Sequence, residues 1–234
     1  LEIIKNADFS KYFLIIYDII KFAKNKNIVV GSGKGSSVGS LVTYTLGITN
    51  VDPLKFGLIF ERFINPERIF FPDINIDFQE DSVNEISEYI KNKYGRKNVA
   101  NIGILNTMGI RSIIRNVGKI LGIASRKIEE VIKTIPDEVI SMLDTEKKLK
   151  KKFYKNKKIS SLINITGLLE GTIRNISLSE HGIVISPEPL VLYTPLYKTI
   201  DGQIITQYDR MCLEEIGLII INILDYTMKN ALQA

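Results

Sequence analysis

Asp73-Ile74-Asn75-Ile76-Asp77 is the stretch that decides how this chain folds, because polar and apolar residues alternate along it with a period of two. In a β-strand, residues i, i+2 and i+4 project from one face, so Asp73, Asn75 and Asp77 are predicted to lie together. Ile74 and Ile76 then face the core. Carboxylates clustered on a strand suit Mg²⁺, a hard cation that takes oxygen ligands. The stretch therefore predicts a weak metal-binding set, Asp73, Asn75 and Asp77, whose central member is a neutral amide.

The composition is that of a globular protein, with 45% hydrophobic residues among 234 and no apolar run of membrane-spanning length. No basic segment followed by an apolar one resembles a secretory leader. The single cysteine, Cys212, is expected to be a buried thiol, and a chain without an internal disulfide fits a reducing cytoplasm. Because the chain starts at Leu1, we interpret it as a fragment of a longer protein.

The net charge of +5 comes from one segment. Residues 147–158, KKLKKKFYKNKK, carry eight lysines and no acid, and the rest of the chain has 23 basic and 26 acidic residues. This lysine run fits two interpretations. It is either a solvated loop or helix face, or an arm that contacts phosphate groups.

The order of predicted elements places strands near both ends of the chain and helices in the middle. Apolar residues at helical spacing predict a helix over residues 11–26, and Ser82 with Glu85 has the capping-box pattern that starts a helix over 82–94. Further helical segments are predicted from about residue 108 to residue 135 and around the lysine run. The predicted strands are residues 69–78, 182–198, 204–208 and 218–224. This order predicts an α+β fold with a helical insertion.

A glycine- and serine-rich loop, GSGKGSS over residues 31–37, precedes a predicted helix over residues 38–46. Glycines let a backbone approach a ligand closely, and a helix start offers free N–H groups to an anion. Lys34 adds a positive charge, but Gly35 stands where a Walker A motif requires Ser or Thr. The loop is therefore either a phosphate-binding loop or a structural turn from strand to helix.

Two further groups of basic residues are candidates for phosphate contacts. The segment ERFINPER contains Arg62 and ends just before the polar strand. Its guanidinium groups either pair with phosphate oxygens in a fork or form ion pairs with the neighbouring acids. Arg111, Arg115 and Lys119 recur every four residues and share one face of a predicted helix. This stripe fits either a nucleic-acid backbone or a solvated helix face.

Taken together, these segments resemble the palm of the C family of bacterial replicative DNA polymerases, the DNA polymerase III alpha subunits. VGSGKGSSVGS resembles the family loop VGPGRGSxxGS, and LVTYTLGITNVDPLKFGLIFERFINPER is close to the family sequence throughout. FPDINIDF resembles the family motif PDxDxDF, and TQYDR and GLIIINILDYT resemble TQFD and GLVKFDFLGLRT. The resemblance runs through nearly the whole chain.

The resemblance implies a polymerase-β-like nucleotidyltransferase palm with an inserted helical thumb. The implied domains are residues 1–104 for the first part of the palm, truncated at its N-terminus, residues 105–176 for the thumb, residues 177–228 for the second part of the palm and residues 229–234 for the start of the fingers. It also implies template-directed DNA synthesis in DNA replication, by a DNA-directed DNA polymerase. In that reaction two Mg²⁺ ions hold the incoming nucleotide and activate the primer 3′-hydroxyl.

The resemblance also assigns roles to residues. The three family aspartates that hold the metal ions map onto Asp73, Asn75 and Asn222, so two of the three positions are Asn in this chain. The implied nucleotide-binding residues are Gly33, Lys34, Gly35, Ser36 and Arg62. The DNA-binding candidates are Arg111, Arg115 and Lys119.

These departures from the family pattern predict an impaired metal site. Asn keeps one ligand oxygen of Asp but loses its charge, and a family lysine that contacts the triphosphate maps onto Ile220. Asp225 lies three residues beyond Asn222, so it is expected to point to the opposite strand face. We therefore expect the isolated chain to be weakly active or inactive. The alternative is a non-catalytic degenerate paralogue that binds primer-template DNA or a replisome partner. A decaying gene copy or a deliberately silenced variant also fits the Asn residues.

The partners implied by the resemblance are primer-template DNA and deoxynucleoside triphosphates. The sliding clamp and other replisome subunits would bind through regions outside this chain. No membrane partner is expected, and the implied location is the bacterial cytoplasm, in association with the nucleoid.

Overall fold

The computed structural model describes residues 1–65, 67, 71–136 and 141–226, with side chains except at 144, 180, 225 and 226. The described residues form two compact units. Unit 1 contains residues 1–104 and those from 178 onward, and unit 2 contains residues 105–177. The expected start of the fingers at 229–234 lies outside the described residues. The assignment of the two units as palm and thumb stays a prediction.

In the described part of the chain, three helices precede the first strand and four consecutive helices occupy the middle. In chain order, the α-helices are α1 (Glu2–Asn6), α2 (Ser10–Asn25), α3 (Leu41–Thr45), α4 (Val83–Tyr94), α5 (Ile110–Ile120), α6 (Ser125–Lys133), α7 (Glu146–Phe153), α8 (Lys157–Leu169) and α9 (Arg210–Glu215). The strands are β1 (Asn75–Gln79), β2 (Val99–Thr107), β3 (Ile173–Ile185), β4 (Leu196–Lys198), β5 (Ile204–Thr206) and β6 (Ile219–Tyr226). Short 3₁₀ turns occupy Gly35–Gly39, Phe60–Arg62, Glu80–Ser82, Met142–Asp144 and Leu190–Leu192.

The strands form one mixed six-stranded sheet in the order β1-β6-β3-β2-β5-β4. β1 runs parallel to β6, and β6 runs antiparallel to β3 on its other side. Ile220, Ile221 and Ile223 of β6 are each at most 1% exposed. A strand buried on both faces needs a nearly continuous apolar run, which explains the sequence IIINIL, in which Asn222 is the one polar residue.

The alternation predicted around β1 is confirmed. Ile74, Ile76 and Phe78 are buried, whereas Asp73, Asn75 and Asp77 are at least partly exposed. α2 supplies most of the opposing core, because its apolar residues recur at helical spacing along one face. The residues buried on that face are Tyr12, Phe13, Ile16, Ile19, Ile20 and Ala23.

Several local predictions are wrong. The helix expected over residues 38–46 is a 3₁₀ turn followed by α3, which Ser40 caps by accepting a hydrogen bond from Thr43 N–H. By contrast, the helical segments expected over 108–135 are confirmed as α5 and α6, and Gly122 adopts a left-handed φ of 65° between them. Ser82 does not form the expected capping box, since its hydroxyl donates to the carbonyl of Gln79. Cys212 is exposed rather than buried.

Unit 2 is helical, as the sequence predicts for the middle of the chain. α5, α6, α7 and α8 enclose one apolar core built from Ile, Leu, Val and Met side chains. α5 approaches α6 at Gly118, where a Cβ would lie 2.8 Å from Ile128 Cδ1. A larger residue at 118 would therefore separate these helices. Among the described residues, no helix is both long enough and apolar enough to cross a membrane.

A polar clamp joins α2 to α4 in unit 1. The carboxylate of Asp18 accepts hydrogen bonds from Tyr89 and Tyr94 at 2.9 and 3.0 Å, and it is also paired with Lys93. Beside it, the rings of Phe22 and Tyr89 stack with their centroids 3.8 Å apart. Burial of the Asp18 carboxylate opposes its ionisation, but these three donors outweigh it, and the pKa of Asp18 is therefore lowered.

We expect Asp18→Asn to lower the free energy of unfolding by about 1–3 kcal/mol at neutral pH, because it weakens hydrogen bonds to a charged group. A carboxyl whose pKa is lowered by folding stabilises the protein above its unfolded pKa of about 3.9 and loses that effect as the pH falls through the folded pKa. The difference between the two proteins should therefore shrink below about pH 4. Urea unfolding across this pH range measures it, with the exposed Asp81→Asn as the control. An equal difference at all pH values contradicts the prediction.

Candidate functional site

The parallel pairing of β1 with β6 creates the candidate site. In this register Asn75 lies opposite Asn222, two residues that are far apart in the sequence. Asp73 lies just before β1 on the same polar face. The structure therefore brings together the three positions, Asp73, Asn75 and Asn222, to which the sequence assigns the family aspartates.

Both amides point their N–H groups at the carboxylate of Asp73. Asn75 Nδ2 donates to Asp73 Oδ2 at 3.0 Å, and Asn222 Nδ2 donates to Asp73 Oδ1. An inverted amide would place its oxygen against a carboxylate oxygen, which is repulsive. The two amides therefore act as donors toward Asp73 rather than as further oxygen ligands beside it.

Arg210 completes this cluster, and the predictions from sequence missed it. Its Nη2 donates to Asp73 Oδ1 at 3.2 Å, and its Nη1 donates to Asn222 Oδ1 at 2.8 Å. Its Nε donates to Glu214 Oε1 at 2.7 Å, one helical turn further along α9. Partial burial disfavours the charged guanidinium, but Glu214 and Asp73 outweigh that cost and raise the pKa of Arg210. The only signal in the sequence is Arg210 itself, at the end of TQYDR.

Asp77 does not join the cluster. Its carboxylate pairs with Lys34 Nζ at 2.6 Å, and its side chain is only 15% exposed. Asp225 continues β6 opposite Phe78, and its side chain lies outside the described residues. The expected metal set of Asp73, Asn75 and Asp77 is thus divided between two different cationic partners, Arg210 and Lys34.

The donor set at Asp73 does not fit a divalent cation. Mg²⁺ prefers several oxygen ligands and is usually held by one or two carboxylates together with substrate phosphates. In this cluster only one of the three central side chains is a carboxylate, and three N–H donors already engage its two oxygens. Among the described residues, no three Asp, Glu, His or Cys side chains group together as metal ligands.

The glycine- and serine-rich loop packs directly on β1. Gly31 N–H donates to the carbonyl of Asp77 at 2.9 Å, and a Cβ at residue 31 would lie 2.9 Å from Asp77 Cβ. Gly33 has a left-handed φ of 99°, and a Cβ there would lie 2.6 Å from Thr49 Cγ2. These two glycines are therefore required by the loop's own packing.

Three of the five predicted nucleotide-binding residues line one cleft. Gly35 and Ser36 face Arg62 across a cavity of about 320 Å³, which Val38, Gly39, Leu58 and Ile59 complete. Lys34 lies outside this lining because it pairs with Asp77. The cleft therefore offers a hydroxyl and a guanidinium, a combination that suits a phosphate group.

The basic stripe on α5 is largely engaged inside unit 2. Arg115 binds Glu129 of α6 through Nε at 2.9 Å and Nη2 at 3.4 Å, and this pairing raises the pKa of Arg115. Arg111 Nη2 donates to the carbonyls of Ile135 and Pro136, each at 3.3 Å. Lys119 is exposed. Two of the three predicted DNA-binding residues therefore tie α5 to α6 and the segment after it.

The lysine run forms α7 and the start of α8, and all eight of its lysines are exposed. The fully buried side chain of Leu149 anchors α7 in the core of unit 2. Lys158 Nζ donates to the carbonyl of Leu121 at 3.1 Å, and Lys152 Nζ donates to Thr134 Oγ1 at 3.0 Å. The run is therefore a structured cationic surface rather than an irregular loop.

Tyr12 of α2 fixes the segment that carries Asp73. Its buried hydroxyl accepts a hydrogen bond from Ile74 N–H at 3.1 Å, and its ring packs edge-to-face on Phe71 at 4.8 Å. Burial raises the pKa of this hydroxyl well above its usual value. Tyr12 thus satisfies the backbone N–H next to Asp73 with a neutral acceptor.

Comparison with known proteins gives a family match over almost the whole chain. Residues 1–225 match a family model described as "Bacterial DNA polymerase III alpha NTPase domain". The chain is 39% identical over 246 residues to a protein of Aquifex aeolicus named DNA polymerase III subunit alpha, covering 94% of this chain and 21% of that protein. Proteins of the same name from Thermus aquaticus and Borreliella burgdorferi are 37% and 43% identical, each over 94% of this chain and 18% and 19% of their own lengths. The chain thus spans about a fifth of the length of these curated relatives.

We expect Tyr12→Phe to lower the free energy of unfolding by about 1–3 kcal/mol, because it leaves the N–H of the buried residue Ile74 without an acceptor. Urea unfolding followed by circular dichroism measures the loss. Tyr44→Phe, which removes a hydroxyl from a more exposed ring, is the matched control and should change little. Equal effects of the two substitutions contradict the role assigned to Tyr12.

Proposed function

The chain belongs to the bacterial DNA polymerase III alpha family, which acts in DNA replication, and on this premise we propose that it is the palm and thumb segment of such a polymerase. In this proposal unit 1 is a polymerase-β-like nucleotidyltransferase palm and unit 2 is the inserted thumb. The reaction is template-directed DNA synthesis from deoxynucleoside triphosphates on primer-template DNA.

One observation carries this proposal. Asp73 and Asn222 are 149 residues apart in the sequence, yet their side chains share a hydrogen bond where the start of β1 pairs with the middle of β6. The family resemblance maps its metal-binding aspartates onto these two positions and onto Asn75. Agreement between that mapping and the spatial cluster supports a site for nucleotidyl transfer.

The chemistry of this chain's own residues differs from that of an intact polymerase. In the family reaction, two Mg²⁺ ions supply the charge that activates the primer hydroxyl and holds the triphosphate. In this chain Asn75 and Asn222 provide no charge, and Asp73 is engaged by Arg210. We propose that the transfer step is impaired in this chain, while the cleft of Gly35, Ser36 and Arg62 keeps the capacity to bind a triphosphate.

A second candidate function is non-catalytic binding of primer-template DNA. The observation that favours it is the exposed surface of eight lysines on α7 and α8. Clustered lysines on a structured surface neutralise backbone phosphates without reading the base sequence. A replisome protein with an acidic surface is the other partner that this surface would suit.

For the first candidate, we expect no primer extension by this chain with Mg²⁺ and no measurable binding of Mn²⁺. Asn75→Asp/Asn222→Asp should restore Mn²⁺ binding, because it returns two negative charges to the site. Loss of a residue that only supports a metal ligand already lowers metal affinity by about 10–100-fold. The gain in Mn²⁺ affinity from restoring two ligands should therefore exceed that range. Calorimetric titration measures it, with Asn50→Asp/Asn84→Asp as a control of equal charge at two exposed positions. If the unchanged chain extends a primer robustly and Asp73→Ala abolishes this activity, the proposal of an impaired site is wrong.

For the second candidate, we expect binding of duplex DNA that weakens steeply with salt and needs the lysine surface. Lys147→Gln/Lys148→Gln/Lys151→Gln should reduce the slope of log K against log salt by about 2–3, since each lost phosphate contact removes about 0.9. Fluorescence anisotropy measures the slope. The control substitutes three exposed lysines of unit 1, Lys5, Lys11 and Lys97. Equal losses in both variants would show that only net charge matters.

A further inference from the structure

We infer that the guanidinium of Arg210 is a built-in cation that takes the place of a divalent metal where the start of β1 pairs with β6. This inference rests on the proposed function, because it concerns the same three positions. It goes further, because it assigns the altered site a cation of its own. The site then has too few carboxylates for a metal ion, and Arg210 also supplies the positive charge that a metal ion would bring.

The direction of the hydrogen bonds is the first support. Arg210 Nη1 donates to Asn222 Oδ1, so the amide oxygen of Asn222 is already used. Asn222 Nδ2 and Arg210 Nη2 both donate to Asp73 Oδ1. Asn at position 222 therefore matches a guanidinium neighbour, because it accepts from Arg210 on one side and donates to Asp73 on the other. An Asp at 222 lacks the donor that this arrangement needs.

The charge of the cluster is the second support. Asp73 and Glu214 each carry one negative charge, and Arg210 carries one positive charge, so Asp73, Asn75, Asn222, Arg210 and Glu214 together have a net charge of −1. With aspartates at 75 and 222 the same cluster would reach −3. The guanidinium thus balances one of the two negative charges present, and a divalent cation beside it would meet a fixed positive neighbour.

The third support is that Arg210 is held in place from several sides. It is the first residue of α9, immediately after Asp209, whose carboxylate caps the helix by accepting from Cys212 N–H at 3.1 Å. Leu213 anchors α9 in the core and is fully buried. Glu214 then fixes the guanidinium from one helical turn away. A planar guanidinium held by three partners is pre-organised, whereas the side chain of a surface lysine is mobile.

Arg210 and a divalent cation therefore compete for Asp73. This competition predicts that Asn75→Asp/Asn222→Asp binds Mn²⁺ less tightly than the same variant with Arg210→Gln added. We expect the added substitution to tighten Mn²⁺ binding about tenfold or more, the size of effect that neighbours of metal ligands usually have. Calorimetric titration of MnCl₂ into the 234-residue chain measures both affinities. Arg96→Gln in the same background is the control, since Arg96 pairs with Glu88 on α4.

The outcomes separate this inference from the proposed function. Tighter binding with Arg210→Gln, and no gain with Arg96→Gln, supports the inference. Equal affinity with and without Arg210 overturns the inference but leaves a metal site at positions 75 and 222, as the proposed function requires. Binding in neither variant overturns both, because these positions then hold no metal even with their carboxylates restored.

A second measurement needs no metal-restored variant. If Arg210 is the cation of the site, the melting temperature of the unchanged chain should be the same in a chelator and in excess MgCl₂. Arg210→Gln alone should lower it more than Arg96→Gln does. Stabilisation of the unchanged chain by MgCl₂, or no loss in Arg210→Gln, overturns the inference. If Arg210→Gln does not fold in the Asn75→Asp/Asn222→Asp background, Arg210→Lys replaces it. We then expect an intermediate gain in Mn²⁺ affinity, because Lys keeps the charge of Arg but loses its forked geometry.

Discussion

The parallel pairing of β1 with β6 is the constraint on which the rest of unit 1 depends. It sets Asn75 opposite Asn222, and it leaves β6 between β1 and β3, where both faces are buried. A shift of one residue in this register would turn the polar face of β1 into the core and expose Ile74, Ile76 and Phe78. These three residues share one buried core with the apolar face of α2, so the core fixes the register and the register fixes the site.

Three cations of this protein bind acids that are distant in the sequence. Arg115 binds Glu129 of a neighbouring helix, Lys34 binds Asp77 of β1, and Arg210 binds Asp73. When the sequence is considered alone, Lys34 and Arg115 have the spacing or context of a phosphate contact. In the folded chain their first partners are carboxylates. The lysine surface on α7 and α8 is different, because its eight lysines have only one acidic neighbour among the described ion pairs, Glu146.

The sequence was sufficient wherever a single element decides the outcome. The alternation around β1, the helix α2 and the helical middle of the chain follow from local spacing of apolar residues. Three local features could not be predicted in this way. Gly122 ends a helix because of its backbone conformation, Ser82 donates to Gln79 rather than capping, and Arg210 joins the site through tertiary contacts alone. The mapping of Asn222 onto the site came from family resemblance, and no spacing rule would have paired it with Asn75.

The hydrogen bond between Ile74 N–H and Tyr12 has a consequence for motion. Because the acceptor belongs to α2, the amide proton of Ile74 exchanges with solvent only when the segment before β1 separates from that helix. The rate of this exchange therefore reports how often Asp73 leaves its place, independently of the global unfolding of the sheet. In this protein the hydrogen-exchange rate of one amide proton therefore measures the local opening of the site.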